Sequence, residues 1–273
     1  MRQIAIHLRV TESLKEVVNK AIRLGMPFFQ CFMIDQKTGR LLDLSTEQIQ
    51  EFLQLRRAHF KDLFVHASYW MNLSSITQTR HYAMERELVL ARKLEFTHVI
   101  FHPGSAKGAQ TREEGIDALA RTLNDICARE KELTYVLENT THGGFSIGGD
   151  LNDFALLLNK LTAPERIKFC IDTAHAYAFG YDLVTPDNQL QFIQLLEKTI
   201  GTASIALIHL NDTQEKRGSK IDKHEVIGEG KLGQVALQRF INHPSLQHIP
   251  IVMELPPIDE EQELKIIEWV RSW

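Results

Sequence analysis

Imidazole and carboxylate side chains recur in this chain directly after short apolar runs. The residues that close six consecutive runs are His66, His102, Glu138, Asp172 with His175, His209 and Glu254. Any one of them could be a buried hydrogen-bonding group or half of an ion pair. Together, carboxylates held away from water would repel one another unless cations were present. Mixed imidazole and carboxylate groups are ligands of zinc, manganese or iron at hydrolytic sites, so the set predicts a multinuclear metal cluster.

A second polar cluster follows the seventh run. Asp222 and His224 alternate on a segment that we expect to be extended, so their side chains can share a face. An Asp-x-His pair alone is a weak signal, typical of polar loops. Coupled to His175, the pair would complete a further site with three ligands.

The short runs are rich in β-branched and aromatic residues, which predicts β-strands. Eight such strands are expected at Ile4 to Leu8, Pro27 to Met33, Leu63 to His66, Thr97 to His102, Thr134 to Glu138, Lys168 to Asp172, Ser204 to His209 and Ile249 to Glu254. Between the strands, apolar residues recur with helical spacing. Helices are expected after N-caps at Thr11 and Thr111, and at Thr46 to Ala58, Arg80 to Leu94, Leu151 to Asn159, Asn188 to Ile200, Gln234 to Ile241 and Glu260 to Trp273.

Strict alternation of strands and helices predicts a parallel sheet with right-handed crossovers. Eight such units in 273 residues favour an α/β fold, a closed (β/α)8 TIM barrel that forms a single domain over residues 1–273. An open doubly wound sheet would more often carry a glycine-rich turn after its first strand, where this chain has Arg9-Val10-Thr11. Because active sites of TIM barrels lie at the C-terminal ends of the strands, the barrel would bring the candidate ligands to one mouth.

Composition is that of a globular protein. The chain has 31 Lys and Arg, 35 Asp and Glu, a formal charge of −4 and 44% hydrophobic residues, which excludes disordered, collagen-like and coiled-coil classes. Cys31, Cys127 and Cys170 are odd in number and form no CxxC pair, so we expect neither a disulfide framework nor a thiolate zinc site. We expect a reducing, cytoplasmic compartment. With no signal-peptide pattern and no long apolar run, no membrane association is expected.

The segments that carry these residues resemble the endonuclease IV family of zinc-dependent apurinic/apyrimidinic endonucleases, in order and from the first strand to the last helix. They are His66-Ala-Ser-Tyr69, Phe101-His-Pro-Gly-Ser105, Leu137-Glu-Asn-Thr140, the run from Cys170 to Asp182, His209-Leu-Asn-Asp212, Asp222-Lys-His224 and Gly228-Glu-Gly230. Together the motifs are highly specific. The resemblance implies a TIM barrel with three zinc ions.

The ligand set follows from the same resemblance. One zinc would be held by His66, His102 and Glu138; a second by Glu138, as a bridge, with Asp172, His209 and Glu254; and a third by His175, Asp222 and His224. All nine positions carry the expected residue type. Manganese or iron at one or more sites is left open.

The resemblance further implies cleavage of double-stranded DNA on the 5′ side of an abasic site, which leaves a 3′-hydroxyl and a 5′-deoxyribose phosphate. Glu138 and Glu254 would be the catalytic residues, with Glu254 positioning or deprotonating the attacking water. Three divalent ions would add +6 to the formal charge of −4, giving about +2 concentrated at the mouth. A basic protein is therefore not required for DNA binding, and a monomer is expected.

The chain departs from the family in its DNA-contacting loops. Where the family tends to show Asn, Arg and Trp at alternating positions, this chain has Asp35, Lys37 and Gly39. Tyr69 is retained, and Trp70 follows it where the family has an aliphatic residue. An apolar side chain inserted at a base step can hold DNA bent and an abasic nucleotide extruded. We therefore expect Lys37, Tyr69 and Trp70 to contact DNA; the alternative for Tyr69 and Trp70 is a partly buried loop anchor.

Two other functions are compatible with part of the residue pattern. A sugar isomerase or epimerase of the related xylose-isomerase-like barrels holds one metal with a Glu, Asp, His, Glu set like Glu138, Asp172, His209 and Glu254. That interpretation leaves the other five candidate ligands without a role. A non-catalytic lesion-binding protein would be expected to have a broken ligand set, and here the set is intact.

Overall fold

Eight parallel β-strands close into a barrel in the computed structural model of the chain, which describes residues 2–35, 38–69, 71–77 and 82–273. Each strand pairs with its neighbours in chain order, and the first strand pairs with the last. The strands are β1 Ile4–Leu8, β2 Gln30–Phe32, β3 Phe64–His66, β4 His98–Phe101, β5 Thr134–Glu138, β6 Ile167–Asp172, β7 Ile205–His209 and β8 Ile251–Met253. The predicted TIM barrel is confirmed.

Helices cover the outside of the barrel. Within the described residues they are α1 Leu14–Arg23, α2 Thr46–His59, α3 Tyr82–Lys93, α4 Arg112–Arg129, α5 Asn152–Leu158, α6 Thr173–Phe179, α7 Pro186–Thr199, α8 Gly233–Ile241 and α9 Glu260–Arg271. The sequence predicted one helix after each strand, but β6 is followed by two, α6 and α7. Helix α6 has seven residues, too few to show a repeated apolar stripe. None of the helices described is long and apolar enough to cross a membrane.

Two predicted helix starts differ from the structure by two residues. The α1 N-cap is Ser13, whose side chain accepts the N–H of Glu16 at 3.2 Å, because it directly precedes the first helical residue and Thr11 does not. Helix α7 begins at Pro186, before the predicted Asn188, since the fixed φ of proline suits a first helical turn. Thr111 does cap α4, accepting the N–H of Glu114. The predicted start of a helix at Arg80 lies outside the described residues.

Apolar side chains from strands and helices form one core. In α1, Leu14, Val17, Val18 and Ala21 are buried against the sheet, which matches their helical spacing. Burying each large side chain of this kind contributes about 1.5–3 kcal/mol. The β2 ladder is shorter than the predicted run from Pro27 to Met33: Phe28, Phe29 and Met33 are buried beside the ladder without joining it, and Pro27 is exposed.

Because the strands are parallel, the candidate ligands at their C-terminal ends lie at one end of the barrel. Four of them are the last residues of their strands, namely His66, Glu138, Asp172 and His209, while His102 and Glu254 directly follow β4 and β8. The barrel therefore places six imidazole and carboxylate side chains around the same mouth.

Candidate metal centre

Among the described residues, imidazole and carboxylate ligand atoms converge in three groups at the barrel mouth. Within each group the atoms all lie within 4.8 Å of one another. The groups are His66, His102 and Glu138; Glu138, Asp172, His209 and Glu254; and Asp172, His175 and His224. Glu138 belongs to the first two groups and Asp172 to the last two. The centre is therefore one continuous cluster.

Glu138 lies at the middle of the cluster. Its Oε2 atom is 3.0 Å from His66 Nε2 and 3.0 Å from His102 Nε2. Its Oε1 atom is 2.8 Å from His209 Nδ1. Each oxygen thus faces a different set of imidazoles, which is the arrangement required of a carboxylate that bridges two metal positions.

Two residues of the third group, His175 and His224, come from outside the strands, and Asp222 lies beside them without being part of the group. His175 lies in the first turn of α6, and Asp222 and His224 lie in the connection between β7 and α8. Asp222 Oδ1 is 3.0 Å from His175 Nε2 and 3.5 Å from His224 Nε2. The structure brings these three residues together, and the shared face expected for Asp222 and His224 is present.

Backbone carbonyls orient two of the histidines. His66 Nδ1 lies 2.9 Å from the carbonyl oxygen of Ala67, and His175 Nδ1 lies 2.9 Å from that of Asn139. A carbonyl oxygen can only accept, so Nδ1 donates in both rings. Nε2 of each ring faces the carboxylates and would give up its proton to bind a metal ion; a ring held in this way through its other nitrogen is usual for metal-binding histidines.

The cluster is strongly charged and shielded from water, since Glu138, Asp172 and His209 are fully buried. Burial alone would raise the pKa of Glu138, but the neighbouring His209 and His102 charges hold it well below its ordinary value. Burial alone would likewise lower the pKa of His175, but the carboxylates of Asp172 and Asp222 raise it well above its ordinary value. Glu138 is therefore ionised, and the site favours positive charge.

The environment of one buried atom, His102 Nε2, indicates whether these residues fit a metal ion. His102 Nε2 has no hydrogen-bond partner among the described residues, although Glu138 Oε2 lies 3.0 Å away. The two atoms are close without being aligned for a hydrogen bond, and a buried polar nitrogen is rarely left without a partner. A cation between them would satisfy both atoms, so the donor set fits a divalent metal.

Cys170 also lies beside Glu138 and His209. Burial raises the pKa of its thiol to about 12. Cys31 and Cys127 are likewise free and buried.

Two asparagine amides hold the acidic ligands, a role that the sequence motifs did not reveal. Asn211 Nδ2 donates to Asp172 Oδ2 at 2.6 Å and to Glu254 Oε2 at 3.2 Å. Asn139 Oδ1 accepts the backbone N–H of Asp172 at 2.7 Å, and its Nδ2 donates to the carbonyl of the same residue at 3.1 Å. The signal available in the sequence was their position: Asn139 directly follows the ligand Glu138, and Asn211 lies two residues after the ligand His209.

A buried carboxylate shapes the loop that carries Asp222 and His224. Asp212 Oδ2 accepts the backbone N–H groups of Gly228, Gly230 and Gly233, each at 3.1 Å. Its other oxygen accepts two more backbone N–H groups, from Thr213 and Leu232. The sequence did not reveal this role, because Asp212 looks like any polar residue that follows the ligand His209.

The rim of the mouth carries an exposed aromatic ring. Tyr69 is 54% exposed, and its ring centroid lies 5.3 Å from those of Phe32, His66 and His102. Tyr69 and Glu254 also line a cavity of about 160 Å³ beside the cluster. The other two predicted DNA contacts, Lys37 and Trp70, lie outside the described residues.

Similarity to known proteins extends along the chain. A family model described as a xylose isomerase-like TIM barrel matches residues 18–273. The chain is 29% identical over 273 residues to an apurinic-apyrimidinic endonuclease of Caenorhabditis elegans, covering 97% of this chain and 69% of that protein. It is 30% identical over 281 residues to a probable endonuclease 4 of Thermosipho africanus, covering 98% and 99%. The crystal structure of endonuclease IV from Thermus thermophilus superimposes with a TM-score of 0.81 at 26% identity, covering 99% of this chain and 98% of that one.

Proposed function

The chain belongs to the endonuclease IV family of xylose isomerase-like TIM barrels, and from this premise we propose that it hydrolyses double-stranded DNA on the 5′ side of abasic sites. The products would be a 3′-hydroxyl and a 5′-deoxyribose phosphate. The observation that carries the proposal is the complete set of imidazole and carboxylate side chains that converges at the mouth.

The cluster would hold three zinc ions. His66, His102 and Glu138 would bind one; Glu138, Asp172, His209 and Glu254 the second; and His175, Asp222 and His224 the third. When bound, such ions lower the pKa of the attacking water and stabilise charge on the leaving 3′ oxygen. Manganese or iron could replace zinc at one or more positions, since the ligands are imidazoles and carboxylates.

Glu254 would position or deprotonate the attacking water. Its backbone N–H donates to Asn211 Oδ1 at 2.8 Å, so the main chain is held in place. Burial alone would raise the pKa of Glu254, but the charge of His209 lowers it below its ordinary value, so the group is ionised and can accept a hydrogen bond from the water. Glu254 also lines the cavity beside Tyr69, where a substrate could reach it.

DNA would lie across the mouth. Three divalent ions would change the formal charge from −4 to about +2 and concentrate the added charge where the phosphates bind. Tyr69 is exposed at the rim and could stack against a base or sugar. Lys37 and Trp70 are proposed as further contacts from their positions in the sequence. We further propose that the enzyme is a monomer of the reducing cytoplasm.

A single-metal isomerase is the second candidate function. Glu138, Asp172, His209 and Glu254 form one of the groups at the mouth and match the ligand set of such enzymes. The proposal for DNA cleavage is favoured because the remaining histidines converge on the same cluster, where a single-metal enzyme has no use for them.

The test combines metal analysis with a nicking assay. The purified protein should carry close to three zinc ions, and it should nick a duplex with one abasic site without added magnesium. Activity should decline during prolonged chelation. The same duplex without the lesion is the control, and polymerase extension of the nicked strand checks for the 3′-hydroxyl. One metal per chain together with sugar isomerase activity would contradict the proposal.

A further inference from the structure

The side chain of Gln30 lies between two candidate metal ligands. Gln30 begins β2 and is fully buried. Its Oε1 atom is 2.8 Å from His209 Nε2, and its Nε2 atom is 2.7 Å from Glu254 Oε1. The same Nε2 atom is 2.9 Å from His7 Nδ1. One amide therefore links residues from β1, β2 and β7 with the residue that follows β8.

The chemistry of these partners fixes the direction of each hydrogen bond. The ionised carboxylate of Glu254 can only accept, so the amide nitrogen of Gln30 must face it. The amide oxygen is then left for His209, which must donate from Nε2. His209 Nδ1 lies 2.8 Å from Glu138 Oε1, so Nδ1 is the nitrogen that would lose its proton and bind a metal ion. The second amide hydrogen is donated to His7 Nδ1.

We propose that Gln30 is a positioning residue that sets which nitrogen His209 presents to a metal ion and holds the carboxylate of Glu254 toward the same centre. The inference rests on the proposed metal sites. His66 and His175 are oriented by backbone carbonyls, which no substitution removes. The orientation of His209 depends instead on a side chain, so it can be tested by mutation.

Gln189 provides a matched control. It is also buried, and its Nε2 donates to the carbonyls of Leu183 and Ala236 at 2.8 and 2.9 Å. Its Oε1 accepts from Arg239 at 2.8 Å. Gln189→Met therefore removes an equally buried, fully bonded amide between α7 and α8, with little change in side-chain length.

The first measurement is zinc affinity, by competition with a chromophoric chelator. Gln30→Met should bind zinc about 10- to 100-fold more weakly at the site of His209, which is the usual cost of losing a partner of a metal-binding histidine. Gln189→Met should remain within about twofold of the wild type, since its amide contacts no candidate ligand. Equal zinc affinity for the Gln30→Met and Gln189→Met variants would overturn the proposal.

The second measurement separates the two bonds of the amide. Gln30→Glu keeps an oxygen acceptor for His209 but has no N–H for Glu254. In zinc-loaded, ¹⁵N-histidine-labelled protein, the Nε2–H signal of His209 should persist in Gln30→Glu and be lost or shifted in Gln30→Met. A wild-type histidine spectrum and wild-type zinc affinity in both variants would refute a positioning role, and if Gln30→Met does not fold, Gln30→Glu alone must show weakened zinc binding. Neither readout requires DNA cleavage, so failure of the zinc-loaded wild type to nick abasic DNA would count against the proposed function alone.

Discussion

Asp212 accepts the backbone N–H of Gly230 at 3.1 Å, and a Cβ atom on residue 230 would lie 2.1 Å from Asp212 Oδ1. The same hypothetical atom would lie 2.6 Å from the backbone nitrogen of Thr213. Only glycine fits this approach. Because Asp212 organises the connection between β7 and α8, the close packing at Gly230 also determines where Asp222 and His224 lie.

Gly230→Ala should therefore disturb the third metal position. We expect a loss of about 1–3 kcal/mol in unfolding free energy, typical of forced overpacking, and a fall in zinc content from three ions toward two. Urea unfolding and metal analysis provide the measurements. Gly143→Ala is the control, because its Cβ would lie 3.6 Å from Lys220 Cε, which is an ordinary van der Waals distance. Three tightly bound zinc ions in Gly230→Ala would show that the loop tolerates the methyl group.

Glu138→Ala should have a more severe effect on the metal centre. Glu138 contacts His66, His102 and His209, so its loss removes a carboxylate from two groups at once. Zinc content should fall below two ions, and nicking should fall by more than the ~100-fold that loss of an outer partner costs. Single-turnover nicking and metal analysis test this, with Glu12→Ala at an exposed position as the control. Near-normal zinc content would exclude a bridging role.

Stability should depend on pH through Glu87, a buried residue of α3 that accepts the backbone N–H of Ser68 at 3.3 Å. Burial raises its pKa from 4.5 to about 7. The folded state then favours the protonated acid. Below pH 4.5 Glu87 is protonated in both the folded and the unfolded state, so it does not change the free energy of unfolding. As the pH rises from 4.5 through 7, Glu87 lowers the free energy of unfolding progressively. Other charged groups beside it are Arg40, Asp43 and Arg86, which line the same cavity.

Glu87→Gln removes this titration. Above pH 8 the variant should exceed the wild type in unfolding free energy by up to about 3 kcal/mol, whereas near pH 4.5 the two should agree. Denaturant unfolding of the zinc-loaded proteins at both pH values measures the difference. The exposed Glu12→Gln serves as the control. A pH-independent difference between Glu87→Gln and wild type would show that Glu87 does not titrate in this range.

DNA binding should be weak and strongly salt-sensitive, because Asp35, Lys37 and Gly39 replace the amide, guanidinium and indole that the family tends to show. Trp70 should carry a larger share of the remaining affinity. We expect Trp70→Ala to cost about 1–3 kcal/mol in binding abasic duplex if its ring stacks or wedges. Fluorescence titrations of metal-replete proteins on duplexes with and without the lesion test this. If Trp70→Ala binds abasic duplex as tightly as the wild type, Trp70 does not contact DNA and is a loop anchor.

The barrel and the placement of six ligands at its mouth could be predicted because strands are short apolar runs and parallel strands end together. The partners of those ligands could not. Gln30 contacts His209 and Glu254 across 179 and 224 residues of sequence, and no local pattern encodes such a contact. Gln30 was visible only as one polar residue within an apolar strand. Asp212 was hidden for a similar reason, since its partners are backbone N–H groups, which any sequence possesses.

The amide of Asn139 has a consequence for how this enzyme could have diverged. By bonding both the N–H and the carbonyl of Asp172, the side chain acts as an extra peptide group and extends the β5–β6 ladder by one rung. Asn211 Oδ1 likewise accepts the N–H of Glu254. Asp172 and Glu254 are thereby anchored to the barrel and not to the loops above it. Mutations could accumulate in the loop around Asp35 and change substrate preference, while selection on catalysis acts on a separate part of the protein.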